Sequence, residues 1–320
     1  MFRHRSDGIL DTSDPILNIA THIMPRRYDA MVNFLLESRC ENMDAYIKKM
    51  YEEKGIHFSY MEILIAALVR MYAQKPLLNR FVMNGRVFRH DGIYISFAVK
   101  KQLTEDAPET TVKLKFTGEE SLFEVKQMVD NIIHQNKGDA KDNNTDSTAK
   151  LLSKIPNGLT KFAVNFLKWM DKHNCLPKKI IEASPFHTSC FLTNMKSIST
   201  DYVYHHLYDF GTTGMFVGLG KERMEAVVNP TTNQIEPGKV VKMGVVIDER
   251  ICDGFYYAKS IKTIRKFLLN PELLEEKYVI PEKDKFYSKK QLRQKRRAEK
   301  KEQKAKAKLE KKKSKHKKEA

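Results

Sequence analysis

This sequence has no run of about eighteen apolar residues, so no bilayer-crossing helix is expected from it. Its first residues, MFRHRSDGILDTSD, lack the apolar core that a secretory signal needs. Cysteine is sparse. The four that occur, Cys40, Cys175, Cys190 and Cys252, form no C-x-x-C pair, which excludes the common zinc and redox spacings and any metal set built on them. They give no disulfide framework either, and with fourteen methionines beside them they suit a reducing cytoplasm. An internal repeat, an aromatic nucleic-acid platform and a helix-turn-helix cue are missing too.

Positive charge is plentiful but unevenly placed. Of the formal +17, residues 288–320 supply +13, from 17 Lys/Arg against 4 Glu. The 287 residues before them hold 40 basic and 36 acidic groups and are close to neutral. The tail has almost no large apolar content, so it is expected as a solvated helix or coil. Two readings stand for it: contact with nucleic acid or another anionic partner through counterion release, without sequence specificity, or a solubilising extension.

The body reads as alternating elements. Residues 44–53 form a short helix candidate. Ser59 and Glu62 have capping-box spacing ahead of a helix through Ile63, Leu64, Ala67 and Met71 that must stop before Pro76. Asn84-Gly85 within residues 81–88 marks a tight hairpin. Strands follow at 93–99 and 112–116, then an amphipathic helix through Leu122, Val125, Val129 and Ile133. Residues 135–150, apolar only at Ala140 and Ala149, are expected to be a loop. The apolar segment 159–170, with Phe162, Phe166 and Trp169 on one side, is expected to pack into the core. Further strands are expected at 184–194, 215–219, 225–228 and 240–247.

The most informative stretch comes near the end. Val245-Val246-Ile247 leads into Asp248-Glu249-Arg250-Ile251-Cys252-Asp253-Gly254, after which Tyr257, Ile261, Ile264 and Leu268 recur at helical spacing. A buried strand thus delivers charged residues to a tight turn and a helix, a common way to hold a site on a rigid scaffold. The plain alternative is a solvated corner. This DERICDG segment, followed by Asn270-Pro271-Glu272-Leu273-Leu274, resembles the catalytic-domain signature of the 2-oxo-acid dehydrogenase acyltransferases, relatives of chloramphenicol acetyltransferase. The resemblance spans residues 15–274. Asp248, Arg250, Asp253 and Gly254 match the pattern. Glu249 stands where the family has its histidine.

The resemblance implies an α/β two-layer sandwich of the chloramphenicol acetyltransferase type with a mixed sheet, and a homotrimer with sites between subunits. It divides the chain into an extension at 1–14, a catalytic domain at 15–287 and the tail. In the family that histidine is the general base that takes a thiol proton. A Ser or Thr on an earlier strand donates to the tetrahedral oxyanion. Carried over, Thr193 is the oxyanion donor with Asn194 beside it, Asp253 is a structural acid, and Arg250 is its partner. Glu249, the candidate catalytic residue at that position, does not inherit the base role automatically: it stands either as a base tuned by its surroundings or as an ion-paired relic. An ordinary carboxyl group and a thiol differ by about four pKa units, a gap that burial or Asp248 would have to close. His205-His206-Leu207-Tyr208-Asp209-Phe210-Gly211 mimics the motif with its acid one residue early. Two readings of it stand, a structural turn and a replacement base contributed by His205 or His206. Cys252 is expected to be a packing residue. The resemblance implies acyl transfer from acyl-coenzyme A or a lipoyl thioester to an acceptor, with no permanently bound cofactor. A non-catalytic trimeric scaffold with an anion-binding tail is the other class.

The charge partition yields a test. Deleting residues 288–320 should leave the fold intact and abolish salt-sensitive retention on heparin. Unchanged retention on a salt gradient would place the anion-binding charge in the body instead.

Overall fold

The computed structural model describes residues 5–11, 14–100, 109–136, 156–229 and 231–282, and beyond them 284–285, 287, 291, 293–295, 297–298 and 300–301. The loop expected at 135–150 lies outside these residues except for its first two, which end a helix. Most of the basic tail lies outside them as well.

Two sheets carry the fold. Gly8–Leu10 (β1), Arg80–Met83 (β3) and Arg86–His90 (β4) form a small antiparallel sheet in the order β1-β4-β3. The main sheet contains Met31–Arg39 (β2), Ile93–Lys100 (β5), Glu109–Phe116 (β6), Cys190–Asn194 (β7), Met215–Leu219 (β8), Arg223–Val228 (β9) and Ile235–Asp248 (β10). Its order is β2-β10-β8-β7-β5-β6, with β9 paired to the first half of β10. The β5–β7 and β7–β8 pairs are parallel and the others antiparallel, so the sheet is mixed.

Helices cover one face of this sheet, namely Glu41–Lys54 (α2), Tyr60–Gln74 (α3), Leu122–Asn136 (α4) and Gly254–Leu269 (α7). Helix α3 is buried on nearly every side. The capping box starts it: the Ser59 amide donates to Glu62 Oε2 at 2.7 Å and the Glu62 amide to Ser59 Oγ at 3.4 Å. Pro76 stops it. The turn between β3 and β4 has positive φ at Asn84 (50°) and Gly85 (68°), the pair of left-handed residues a tight hairpin demands. Leu64, Ile65, Phe97 and Phe116 lie at the interface of helices and sheet, each fully buried large side chain contributing about 1.5–3 kcal/mol.

The other face of the sheet has no helix layer of this kind. Phe191, Phe216 and Val246 project there and pack with Leu207 and Tyr208 from an irregular segment around residues 201–210. This segment lies directly on the sheet. A Cβ added to Gly244 would stand 2.2 Å from the Val203 carbonyl oxygen, and one added to Gly218 2.6 Å from it. Glycine at both positions is what lets the second backbone settle there.

Within the segment expected as an extension, residues 5–11 join the fold: β1 pairs with β4, and Arg5 and Asp7 are buried. Two expectations change. The strand expected over 184–194 begins only at Cys190. Before it, Pro185 interrupts the ladder, and the Phe186 carbonyl accepts from the Thr212 amide and the Thr213 hydroxyl. Segment 159–170 is a helix, Asn157–Lys172 (α5), but it does not enter the core: Phe162, Phe166 and Trp169 are 70%, 49% and 52% exposed. Its body-facing side is the one that carries Asp171.

His90 offers a pH test of the small sheet. Its Nδ1 meets the Asn79 carbonyl at 3.1 Å and its Nε2 the Thr212 hydroxyl at 3.0 Å, in full burial. Burial disfavours the imidazolium and pushes this histidine down to about 4. Below about pH 6.5 the unfolded chain gains a proton that the folded chain refuses. His90 should therefore withdraw on the order of 3 kcal/mol as pH falls from about 6.5 to 4. Urea unfolding across that range should show the loss, and His90→Gln should flatten it.

Candidate active site

The end of β10 alternates between inside and outside. Asp248 is fully buried, Glu249 is exposed, and Arg250 is buried. Asp248 is held from two sides. Arg250 grips it in a fork, Nε to Oδ1 at 2.8 Å and Nη2 to Oδ2 at 2.7 Å, and the Arg250 amide donates to Oδ1 at 3.1 Å. Arg27 Nε lies 3.8 Å from Oδ2. The remaining donors of both guanidiniums reach carbonyls. Arg250 reaches Met24 at 2.7 Å, and Arg27 reaches Tyr208 and Gly211 at 2.8 Å each. Burial lowers the pKa of Arg27, and the Asp248 charge works against that loss.

The turn itself is fixed by its backbone. Tyr257 Oη donates to the Asp248 carbonyl at 2.7 Å, clamping the first turn of α7 to the strand end. Asp253 caps that helix, accepting from the Tyr256 amide at 2.9 Å. The expected pairing of Arg250 with Asp253 therefore does not occur. Arg250 is taken by Asp248, and Asp253 is exposed and committed to the cap. Gly254 opens α7, where an added Cβ would meet nothing. The Cys252 thiol is buried, and burial pushes it up to about 12, so it is neutral at ordinary pH.

Glu249 is anchored only through its amide, which donates to the Ala30 carbonyl at 3.0 Å. Its carboxylate has no hydrogen bond or ion pair among the described residues, and Asp248, whose charge might have acted on it, is already balanced by arginine.

Thr193 and Asn194 do not share a face. Strand alternation turns Asn194 toward α3, where its Nδ2 lies 3.5 Å from Met61 Sδ and its buried Oδ1 has no partner. Thr193 projects with Phe191 to the side bearing the 201–210 segment. In register Thr193 lies beside Gly218, which lies beside Gly244. Glu249 is five residues further along β10, roughly 17 Å at ~3.3 Å per residue before any lateral offset. One chain therefore does not bring Thr193 and Glu249 together. The histidines fall between them on the Thr193 side: the His205 ring stacks on Phe216 at 4.1 Å, with His206 exposed at 4.6 Å from it. No group of three His, Cys, Asp or Glu suited to a metal occurs among the described residues.

Sequence reasoning missed Arg27 and a second buried network. Arg5 pairs with Asp7 at 3.0 Å and with Asp171 at 2.6 Å, and His187 joins Asp171 Oδ2 at 3.1 Å and Ser184 Oγ at 2.9 Å. Burial works to raise the Asp171 pKa, but His187 and Arg5 outweigh it and hold the carboxyl at about 2. Both serve the fold, since Asp171 is engaged from each side.

A mixed sheet with one helix layer and this strand–turn–helix end define the chloramphenicol acetyltransferase-like acyltransferase fold. Solved structures agree. A probable dihydrolipoamide acetyltransferase from Listeria monocytogenes superposes with TM-score 0.52 at 13% identity, over 85% of this chain and 99% of that one. The cubic core of the pyruvate dehydrogenase multienzyme complex gives 0.53 at 12% identity, over 83% and 93%. The Azotobacter vinelandii dihydrolipoamide acetyltransferase, in which the catalytic roles of a serine, a histidine and an asparagine have been investigated, gives 0.53 at 13%, over 83% and 93%. No family model matches the chain, and no curated protein matches it in sequence.

The alternation at the strand end predicts very unequal stability effects at adjacent positions. Asp248→Asn leaves two buried guanidiniums facing a neutral amide and should cost about 3–5 kcal/mol in urea unfolding. Glu249→Gln should change stability by no more than about 0.5 kcal/mol.

Proposed function

We propose that this chain is an acyltransferase-like protein that handles acyl thioesters of coenzyme A, acts as a homotrimer, and has chemistry altered at Glu249. One observation carries the reading: the acyltransferase fold is present with an Asp248–Arg250 clamp and a capped turn, while the outward residue between the two clamp partners is a carboxylate. The fold neighbours are acetyltransferases, which favours a thioester donor. The acceptor is a thiol, hydroxyl or amine.

Thr193 and His205 project from the same side of the sheet, while Glu249 stands at its end. A second subunit seated against that side would have to supply the turn. In such a site Thr193 donates to the oxyanion of the tetrahedral intermediate. Asn194, turned to the helix layer, takes no part. The proton acceptor is His206, which is exposed beside His205 on the Thr193 side of the sheet, whereas Glu249 of the same chain is remote from Thr193.

A second reading rests on the bareness of Glu249. A carboxylate with no partner and no burial also suits a trimeric scaffold that has lost the reaction and keeps the fold for assembly.

Calorimetric titration with coenzyme A and acetyl-coenzyme A separates the two, since saturable binding supports the acyltransferase and its absence the scaffold. Thiol acylation should be slow in the wild type and nearly unchanged in Glu249→Gln, while Glu249→His should raise it. A drop of about 10²–10⁴ in Glu249→Gln would instead make Glu249 the working base. Sedimentation of the body as a monomer at micromolar concentration would remove the inter-subunit site.

A further inference from the structure

Helix α5 carries an apolar face that the body leaves uncovered. Phe162, Phe166 and Trp169 follow one another at i, i+4 and i+7, with ring centroids 6.4 and 6.0 Å apart and planes within 11° of parallel. Leu159 extends the stripe by another turn and is 58% exposed. Four large apolar side chains on one exposed helix face go beyond the scattered apolar residues of an ordinary surface. The helix is nonetheless held in place at its last turn. Asp171 is locked to Arg5 and His187, and His173 stacks on Trp169 while its Nδ1 meets the Trp169 carbonyl at 2.8 Å. The stripe is therefore presented outward by a fixed anchor.

Charge indicates what covers it. The helix bears Lys161, Lys168 and Lys172, and its single acid, Asp171, is buried and neutralised. On the helical wheel the three lysines cluster along one flank of the aromatic stripe. The tail adds +13 of the same sign. A second copy would bring like charge against like, whereas an anionic bilayer supplies the opposite charge together with an apolar interior for the rings. Sixteen residues with three lysines are too short and too polar to span. Aromatic residues on one face and lysines beside them are the composition of a helix lying in the headgroup plane, where tryptophan is favoured. A second apolar row stands nearby. Helix Pro15–Ile23 (α1) exposes Ile16, Ile19 and Ile23, and its His22 packs at Gly85 of the β3–β4 hairpin, next to a hollow lined by Asn84 and Lys172.

We infer that α5 is a membrane-surface helix, which seats the protein on anionic lipid by inserting Phe162, Phe166 and Trp169 at the headgroup level. The tail contributes long-range attraction, and the stripe contributes insertion. Trp169 is the only tryptophan in the chain, so its fluorescence reports on the stripe directly. Full-length protein is titrated with phosphatidylcholine vesicles with and without phosphatidylglycerol, with flotation followed in parallel. Anionic vesicles should float the protein and shift the Trp169 emission to the blue. The double substitution Phe162→Ser, Phe166→Ser should abolish the shift and weaken flotation about tenfold. It should leave thermal unfolding unchanged, because both rings are outside the core. Flotation without a shift in the wild type would show that the tail binds alone and would overturn the inference. So would a blue shift that grows with protein concentration in the absence of lipid, which would show the stripe covered by a second copy.

Discussion

The end of β10 depends on one buried carboxylate. Asp248 takes Arg250 in a fork and faces Arg27 at 3.8 Å, one negative charge between two positive ones, and these two guanidiniums in turn hold carbonyls at Met24, Tyr208 and Gly211. Three segments far apart in sequence, the end of α1, the turn before β8 and the strand end, are thereby tied to one anion. Removing charged groups from water costs several kcal/mol per ion, and mutual attraction offsets this only when geometry is good and the other donors are used. Here the fork is bidentate and most other donors have acceptors. The exception is Arg27 Nε, which has no hydrogen bond within the usual distance and stands 3.8 Å from the carboxylate. The arrangement is thus specific more than it is strong: a slip of β10 by one residue would offer Glu249 in place of Asp248 but would also turn Val245 and Ile247 away from the helix layer.

A second constraint acts on the same face of that strand, four residues further back. Gly244 and Gly218 clear a bed for the backbone of Val203, and this close approach brings the 201–210 segment and its histidines onto the sheet. A strand with glycine there forfeits side-chain packing, and Val203 and Leu207 replace it from above. The clamp and the bed together hold the 201–210 segment over this face of the main sheet.

How legible was this in the sequence? Local signals carried far. The capping box at Ser59, the stop at Pro76, the Asn84-Gly85 hairpin and the strand–turn–helix at Asp248 all depend on neighbours within a few residues, and the structure has each of them. Pairings across long separations were not legible. Arg5 with Asp171, or Arg27 with Asp248, is a matter of tertiary arrangement, and many other basic residues were equal candidates. Strand parity could have separated Thr193 from Asn194, because adjacent strand residues face opposite sides, but the family resemblance drew them together. For α5 the periodicity gave the aromatic stripe correctly. It could not say whether a core, a partner or a lipid covers that stripe, because amphipathicity encodes only that something apolar should.

The adjacent roles at the strand end bear on what Glu249 means. The clamp uses residues 248 and 250, the cap uses 253, and Tyr257 holds a carbonyl, so every structural duty of the turn falls on positions other than 249. The one bond from 249 that serves the fold comes from its amide, which any residue but proline supplies. The side chain there is free of the fold's demands. Its identity is set by whatever meets the outer surface of the turn, and a change of side chain there alters charge at that surface without disturbing the clamp beneath it. The geometry of the strand end and the chemistry of its outward residue are therefore separable, because the buried pair at 248 and 250 fixes the first while residue 249 carries none of that load.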